Sequence, residues 1–238
     1  MGGLYAGDMS LAKNVGQNIS RNLAPKVTKV APQVTAGFVQ QALDRAIRGV
    51  GPLDGAAMVA EKHRDEQKGD DAKAIKQIIE NHVRLAGAQG FLTNIGGLVT
   101  MPVAVPTNIA GLALIQCRMV AAILHLRGYD LDDHRVRTGI LASLLGEERM
   151  LSMIKKKKLP GTPMAVATAP VNDPHLGVVM ANEVAAEMIT RMAGKRIAFT
   201  VGRRVPVVGG LIGMGTDGFA TWQIGRYVDR EFLPRNRR

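Results

Sequence analysis

Four polar residues in apolar surroundings are the best candidates for a functional site. Gln116, Arg118 and His125 lie in one apolar stretch, and Asp217 lies in a Gly-rich segment near the C-terminus. The spacing of Arg118 and His125 places both on one face of a helix. Because a buried arginine is costly without a counter-charge, we expect an ion pair between Arg118 and Asp217. The rival partners for Arg118 are Asp130, Asp132 and Glu147.

Such a polar cluster has two interpretations, a packing ion pair or the site of a hydrolase or metal-dependent enzyme. The residues after His125 add potential metal ligands at Asp130, Asp132, Asp133 and His134. Their spacing matches neither a helical HExxH pair nor an EF-hand loop. A histidine near a helix C-terminus and carboxylates at the start of the next helix have ordinary capping roles. We therefore predict no metal site and assign no catalytic residue.

A GxGxxG motif from Gly213 to Gly218 follows the strand-like sequence VPVV. A dinucleotide-binding fingerprint requires a complete βαβ unit and a later acidic residue. The chain after Gly218 is too short for these elements, so we predict no cofactor. Gly209 and Gly213 instead form a small-residue face that would let two helices approach closely.

The stretch from Arg84 to Asp133 must position the polar residues. It has no charged side chain between Arg84 and Arg118, and it contains Pro102 and Pro106. This pattern predicts two apolar helical arms joined by a proline-bearing bend. Just before the first arm, His82 lies on the apolar face of its helix and is predicted to be a hydrogen-bonded core histidine.

The second arm is predicted to start at a cap on Thr107 or Asn108 and to end at Arg127. About twenty residues at about 1.5 Å each give roughly 30 Å, the hydrocarbon thickness of a bilayer. However, Arg118 at its middle would cost about 3 kcal/mol or more at the bilayer centre. We therefore rank a buried core hairpin first, an interfacial or re-entrant hairpin second, and a simple transmembrane helix third.

The remaining sequence predicts an all-α protein with a single multi-helix domain, a central Pro-interrupted apolar hairpin and a Gly-rich C-terminal helical segment. A loose N-terminal arm covers residues 1–35, the domain covers 36–234, and a basic tail covers 235–238. Asp70 or Asp71, and later Asp132 or Asp133, are predicted to cap helices. The proline-rich segment from Leu159 to Pro174 is predicted to be a loop.

The net charge of +11 favours acidic partners. Lys155, Lys156, Lys157 and Lys158 form a basic patch that suits an anionic membrane surface, where each cation contributes about 1 kcal/mol. With only 4% aromatic residues and no known nucleic-acid module, nucleic acid is a disfavoured partner. The single cysteine, Cys117, is expected to be a buried small hydrophobe in a reducing compartment. With no secretory signal evident, we expect a cytoplasmic protein, peripheral at the inner face of the cell membrane.

Two blocks of sequence resemble a known family. The block QGFLTNIGGLVTMPVAVPTNIAGLALIQCRMVAAILHLRGYDLDDHRVRT and the C-terminal block VPVVGGLIGMGTDGFATWQIGRYV are similar to the EcsC-like family of bacterial proteins. The resemblance implies a mainly helical protein whose founding member is encoded beside an ABC transporter. It implies no established catalytic residues, and it makes a transporter a candidate protein partner.

These observations together predict a non-enzymatic, membrane-associated or lipid-contacting accessory protein linked to transport or secretion. Two alternatives stay open. One is an enzyme with a site near Arg118, His125 and Asp217, and the other is a protein-interaction scaffold.

Overall fold

The computed structural model describes the backbone of residues 37–95, 101–201 and 206–235, and side chains within 37–88, 110–191 and 215–235. The described chain is helical, with turns and one isolated bridge between Val50 and Leu53. The predicted all-α fold is therefore confirmed. The N-terminal arm predicted for residues 1–35 and all but the first residue of the basic tail lie outside the described residues, as does the side-chain packing around Gly209 and Gly213.

Nine helices are described. They are α1 (37–48), α2 (Ala56–Glu66), α3 (Asp71–Ile95), α4 (Met101–Leu126), α5 (His134–Leu144), α6 (Glu147–Lys155), α7 (Pro163–Ala167), α8 (Pro174–Val201) and α9 (Pro206–Glu231).

Several predicted helix ends are confirmed. Asp70 Oδ1 accepts a hydrogen bond of 3.0 Å from the Lys73 backbone N–H at the start of α3. Asp133 caps α5 by accepting a 2.8 Å bond from the Arg135 backbone N–H. After α4, Gly128 has a φ of +81°, the left-handed conformation that commonly ends a helix.

Two local predictions are wrong. First, α4 begins at Met101 rather than at a cap on Thr107 or Asn108. Pro102 lies in its first turn, where a missing N–H leaves no intrahelical bond unmade, and Pro106 does not end the helix. Second, the Leu159–Pro174 segment contains the short helix α7, capped by Thr162 with proline at the first helical position. The predicted Gly-rich C-terminal helical segment is confirmed, because residues 206–208 of the strand-like VPVV are helical and the GxGxxG motif lies inside α9.

Helix α9 packs closely against the α3–α4 hairpin because two of its glycines have no side chain. A Cβ on Gly225 would lie 2.9 Å from Ile79 Cγ1 and 3.2 Å from Met119 Sδ. Seven residues earlier on α9, a Cβ on Gly218 would lie 3.4 Å from the Val83 carbonyl oxygen of α3. Residue numbers along α3 therefore decrease as those along α9 increase, so these two helices are antiparallel.

The core is centred on α4. Its residues 119–124 are fully buried, and Cys117 is buried beside them. At the C-terminal end of this helix, Arg127 Nη2 lies 2.7 Å from Asp229 Oδ1 and ties α4 to α9. An ion pair between Arg137 and Asp44 ties α5 to α1.

Candidate functional site

Arg118 is held by a buried histidine. Its Nε donates a 3.3 Å hydrogen bond to His82 Nε2, and His82 Nδ1 lies 2.7 Å from the carbonyl oxygen of Ile78. Because a carbonyl can only accept, Nδ1 carries the ring proton and Nε2 presents a lone pair to Arg118. His82 is thus neutral, as predicted for a hydrogen-bonded core histidine. Burial lowers its pKa to about 4, helped by the nearby positive charge of Arg118.

The ion pair predicted between Arg118 and Asp217 is not among the ion pairs of the described side chains, so this prediction is corrected. The reason is the geometry of α4. Gln116 Nε2 donates a 3.1 Å hydrogen bond to Thr221 Oγ1 on α9, so position 116 faces α9. Two residues along a helix turn the side chain by about 200°. Arg118 therefore faces away from α9 and from Asp217.

His125 shares a face of α4 with Arg118, as predicted, but has its own partner. His125 Nε2 lies 2.9 Å from Glu61 Oε1 on α2. On the same side of the molecule, His63 Nε2 lies 2.9 Å from Asn81 Nδ2 and joins α2 to α3. These contacts attach α2 to the hairpin, and they do not form one site with Arg118, Gln116 and Asp217.

The acidic residues after α4 have structural roles. Asp133 caps α5, and Asp130 Oδ1 accepts a 2.9 Å bond from the Asp132 backbone N–H. Glu147 pairs with Arg230 at 2.7 Å. Within the part of the chain that the structure describes, no three His, Cys, Asp or Glu side chains are arranged to hold a metal ion.

The lysine patch is exposed at Lys155, Lys156, Lys157 and Lys158. The Glu147–Arg230 ion pair places the start of α6 beside the C-terminal end of α9. Asp217 lies about 20 Å away along α9, at about 1.5 Å per residue. No described contact brings the lysines together with Gln116, Arg118 or His125.

A surface cleft of about 420 Å³ lies between α5, α7 and the start of α8. Its lining includes Arg135, Thr138, Asn172 and Leu176 and is mostly apolar. None of the residues predicted as a polar site lines it, so the cleft gives no support to an enzyme centred on Arg118.

Arg84, Arg118 and Asp217 are the first charged residues reached along three adjacent helices from one end, and their levels along the helix axes differ by up to about 9 Å, at about 1.5 Å per residue. Arg118 contacts His82, which lies two residues before Arg84 on α3. On α9, Gly218 directly follows Asp217 and packs against Val83 and Gly87 of α3. We call this region the charged boundary.

Beyond the charged boundary, the three helices carry no Asp, Glu, Lys or Arg. We call this part, residues 85–95, 101–117 and 206–216, the uncharged end. Because α3 runs antiparallel to both α4 and α9, the three segments extend in the same direction. The α3 and α9 segments reach about 16 Å beyond the boundary, at about 1.5 Å per residue.

Helix α2 starts at the charged boundary. Glu61 of α2 pairs with His125, and Asp54, which precedes α2, is close enough for its charge to raise the pKa of Arg118. Burial acts in the opposite direction and is the larger influence on this arginine. Asp54 and Glu61 are seven residues apart, as are their neighbours Arg118 and His125 on α4, so α2 and α4 run parallel. Helix α2 therefore does not extend beside the uncharged end.

Two exposed aromatic side chains lie next to the boundary. Phe219 is 58% exposed and Trp222 is 47% exposed. Their rings stack with centroids 5.9 Å apart, and they follow Asp217 on α9. Tryptophan favours the interface between membrane and water, where its apolar ring and polar N–H are both accommodated. Sequence reasoning did not select this pair, although its spacing on a Gly-rich helix was a usable signal.

Among the described residues, no helix has the combination of length and hydropathy needed to span a bilayer.

Sequence reasoning also missed His82 as the partner of Arg118. The signal was a single histidine and a single arginine on the facing arms of an otherwise apolar hairpin.

Comparison of the chain with protein-family models, curated proteins and solved structures finds no match.

Proposed function

We propose that this protein is a non-enzymatic, peripheral membrane-binding protein that inserts its uncharged end shallowly into an anionic lipid surface. The observation that carries the proposal is the alignment of three charge-free helix segments beyond Arg84, Arg118 and Asp217. Exposed apolar groups gain free energy by leaving water, and three adjacent segments without charges can do so together.

The dimensions favour shallow insertion over crossing. The α3 and α9 segments extend about 16 Å and the α4 segment about 25 Å, so all three are shorter than the roughly 30 Å hydrocarbon core. With the uncharged end inserted, Arg118 lies near the headgroups instead of at the bilayer centre, where it would cost about 3 kcal/mol or more. Phe219 and Trp222 then lie near the interface.

Charge supports the preference for anionic lipid. The chain has a net charge of +11, and each lysine or arginine near an anionic surface contributes about 1 kcal/mol. The lysine patch would contribute through the general field of the protein rather than through direct contact with the uncharged end.

An accessory role in transport or secretion, at the inner face of the cell membrane, fits this proposal and the resemblance to the EcsC-like family. That resemblance and a transporter partner remain predictions. The geometry of the described residues carries the membrane proposal independently of them.

The test uses Trp222, the single tryptophan of the chain. The full chain is titrated with vesicles of phosphatidylcholine alone and of phosphatidylcholine with phosphatidylglycerol. We expect a blue shift of Trp222 fluorescence with the anionic vesicles, weakened by salt. Lipids brominated near the headgroup should quench it more than lipids brominated near the chain ends. Unchanged fluorescence together with no co-flotation of the protein would overturn the proposal.

A matched pair of variants tests which surface binds. Phe219→Ser removes an exposed apolar side chain beside the boundary and should weaken vesicle binding about tenfold. Leu233→Ser removes one that is 61% exposed near the opposite end of α9 and should leave binding unchanged. If both variants lose affinity equally, the uncharged end is not the binding surface. If neither binds less but a partner protein is lost, the scaffold alternative gains support.

A further inference from the structure

We infer that Arg118 binds the phosphate of a single lipid headgroup and that His82 is the positioning residue that holds its guanidinium group in place. This inference rests on the proposed membrane binding and deepens it by naming the chemical group that is recognised. General attraction between a basic protein and an anionic surface requires no such site.

The guanidinium group is fixed along one edge. Its Nε donates to His82 Nε2 at 3.3 Å, and His82 is itself fixed by burial and by the 2.7 Å contact with the Ile78 carbonyl. Within the described part of the chain, this is the hydrogen bond that the Arg118 side chain makes. Its two Nη groups are thus left to bind an acceptor from outside, and they form the planar fork that matches two phosphate oxygens.

The position of the fork suits a headgroup. Arg118 is the first charged residue along α4 after the uncharged end. Side chains on a helix tilt toward its N-terminus, which for α4 is the direction of the uncharged end. A guanidinium group at this level would meet phosphates just as the apolar segments enter the hydrocarbon. Asp54 is exposed nearby, but it forms no ion pair with Arg118 among the described side chains.

A neutral histidine is well suited to position the guanidinium group of Arg118. It accepts the Nε–H without neutralising the charge of Arg118, whereas a carboxylate in the same place would form an ion pair and weaken attraction for phosphate. His82 therefore orients the fork and leaves the positive charge available. A lysine at position 118 would keep the charge but would lack the planar pair of donors.

The experiment compares variants at the same boundary, using vesicles of phosphatidylcholine with phosphatidylglycerol and Trp222 fluorescence. Arg84→Gln removes an exposed charge from the boundary and should weaken binding about fivefold. Arg118→Gln should weaken it about thirtyfold, because it removes the same charge and a charge-assisted bidentate contact. Arg118→Lys should recover only the fivefold part of that loss.

His82→Leu tests positioning at constant formal charge at neutral pH. It should weaken vesicle binding several-fold without lowering the midpoint of urea unfolding at pH 7.5. A purely structural role for His82 would change the unfolding midpoint and leave vesicle affinity unchanged. Equal losses in Arg118→Gln and Arg84→Gln, with full rescue by Arg118→Lys, would overturn the phosphate site while leaving membrane binding intact.

Soluble phosphate separates the two possible sources of the ligand. Glycerol 3-phosphate at millimolar concentration should compete with vesicles for the wild-type chain and not for Arg118→Lys. A chain that broadens the phosphorus resonance of glycerol 3-phosphate but does not bind vesicles would overturn both the lipid source and the proposed function. Absence of competition at any concentration, together with equal binding by all the variants, would contradict phosphate recognition itself.

Discussion

Mild acid should destabilise this protein through His82. The pKa of His82 is lowered to about 4 in the folded chain, against 6.5 for an exposed histidine. Between these values the unfolded chain binds a proton at this site that the folded chain excludes. The free energy of unfolding therefore falls as the pH falls through this window, by about 1.4 kcal/mol per pH unit.

The magnitude follows from the two pKa values. The contribution of His82 is fully present above pH 6.5, falls by about 2 kcal/mol at pH 5, and levels off below pH 4 at a loss of about 3 kcal/mol. These figures apply with little screening because His82 is only 2% exposed. The proton would also have to displace Arg118, since protonated Nε2 cannot accept its Nε–H.

The assay is urea unfolding of the wild-type chain and His82→Leu at pH 8 and pH 5. The wild type should lose about 2 kcal/mol more than the variant between the two conditions. His175→Gln, which removes an exposed histidine, controls for the loss of any imidazole group. Parallel pH profiles for wild type and His82→Leu would refute the reasoning, as would an NMR titration showing His82 protonated above pH 6.

Three further outcomes follow from the packing. Gly225→Ala should cost about 1–3 kcal/mol because its Cβ would overlap Ile79, whereas Gly215→Ala, with no neighbour within 4 Å, should stabilise α9 by up to about 1 kcal/mol in the same unfolding assay. Cys117, whose thiol pKa burial raises to about 12, should react with an aromatic disulfide reagent only as fast as the chain unfolds; rapid labelling of the folded chain would contradict this. Thr221→Val should destabilise the chain by about 1–3 kcal/mol by leaving its buried Gln116 partner unsatisfied, and a double-mutant cycle with Gln116→Leu should recover most of the loss.

The sequence predicted the fold class and several helix ends because these depend on local patterns. Asp70 and Asp133 were identifiable as caps from their positions before apolar periodic segments, and each accepts the expected backbone hydrogen bond. The predicted start of α4 at Thr107 or Asn108 is wrong because Pro106 does not break the helix. A proline near a helix N-terminus costs few backbone bonds, and the apolar helix continues through it.

The candidate site was harder to predict because it depends on how the helices rotate about their axes. Arg118 and Gln116 are close in sequence, but only Gln116 faces α9. Whether Arg118 would meet Asp217 or His82 depended on which face of α4 the glycines of α9 pack against. Periodicity identifies an apolar stripe, but α4 is apolar on nearly every side, so it gave no information about this rotation.

The position of Arg118 favours the proposed membrane binding over the enzyme interpretation. A catalytic cluster requires Arg118, His125 and Asp217 to converge on one substrate, and the separate contacts to His82 and Glu61 direct the first two to different neighbours. A boundary residue needs none of these partners. A boundary arginine needs only a guanidinium group that is fixed in position where the charge-free segments begin. Arg118, which is fixed by His82, meets that requirement. The same arginine that argues against a transmembrane helix therefore becomes, at the boundary, a reason to expect that α4 enters the bilayer no further than residue 118.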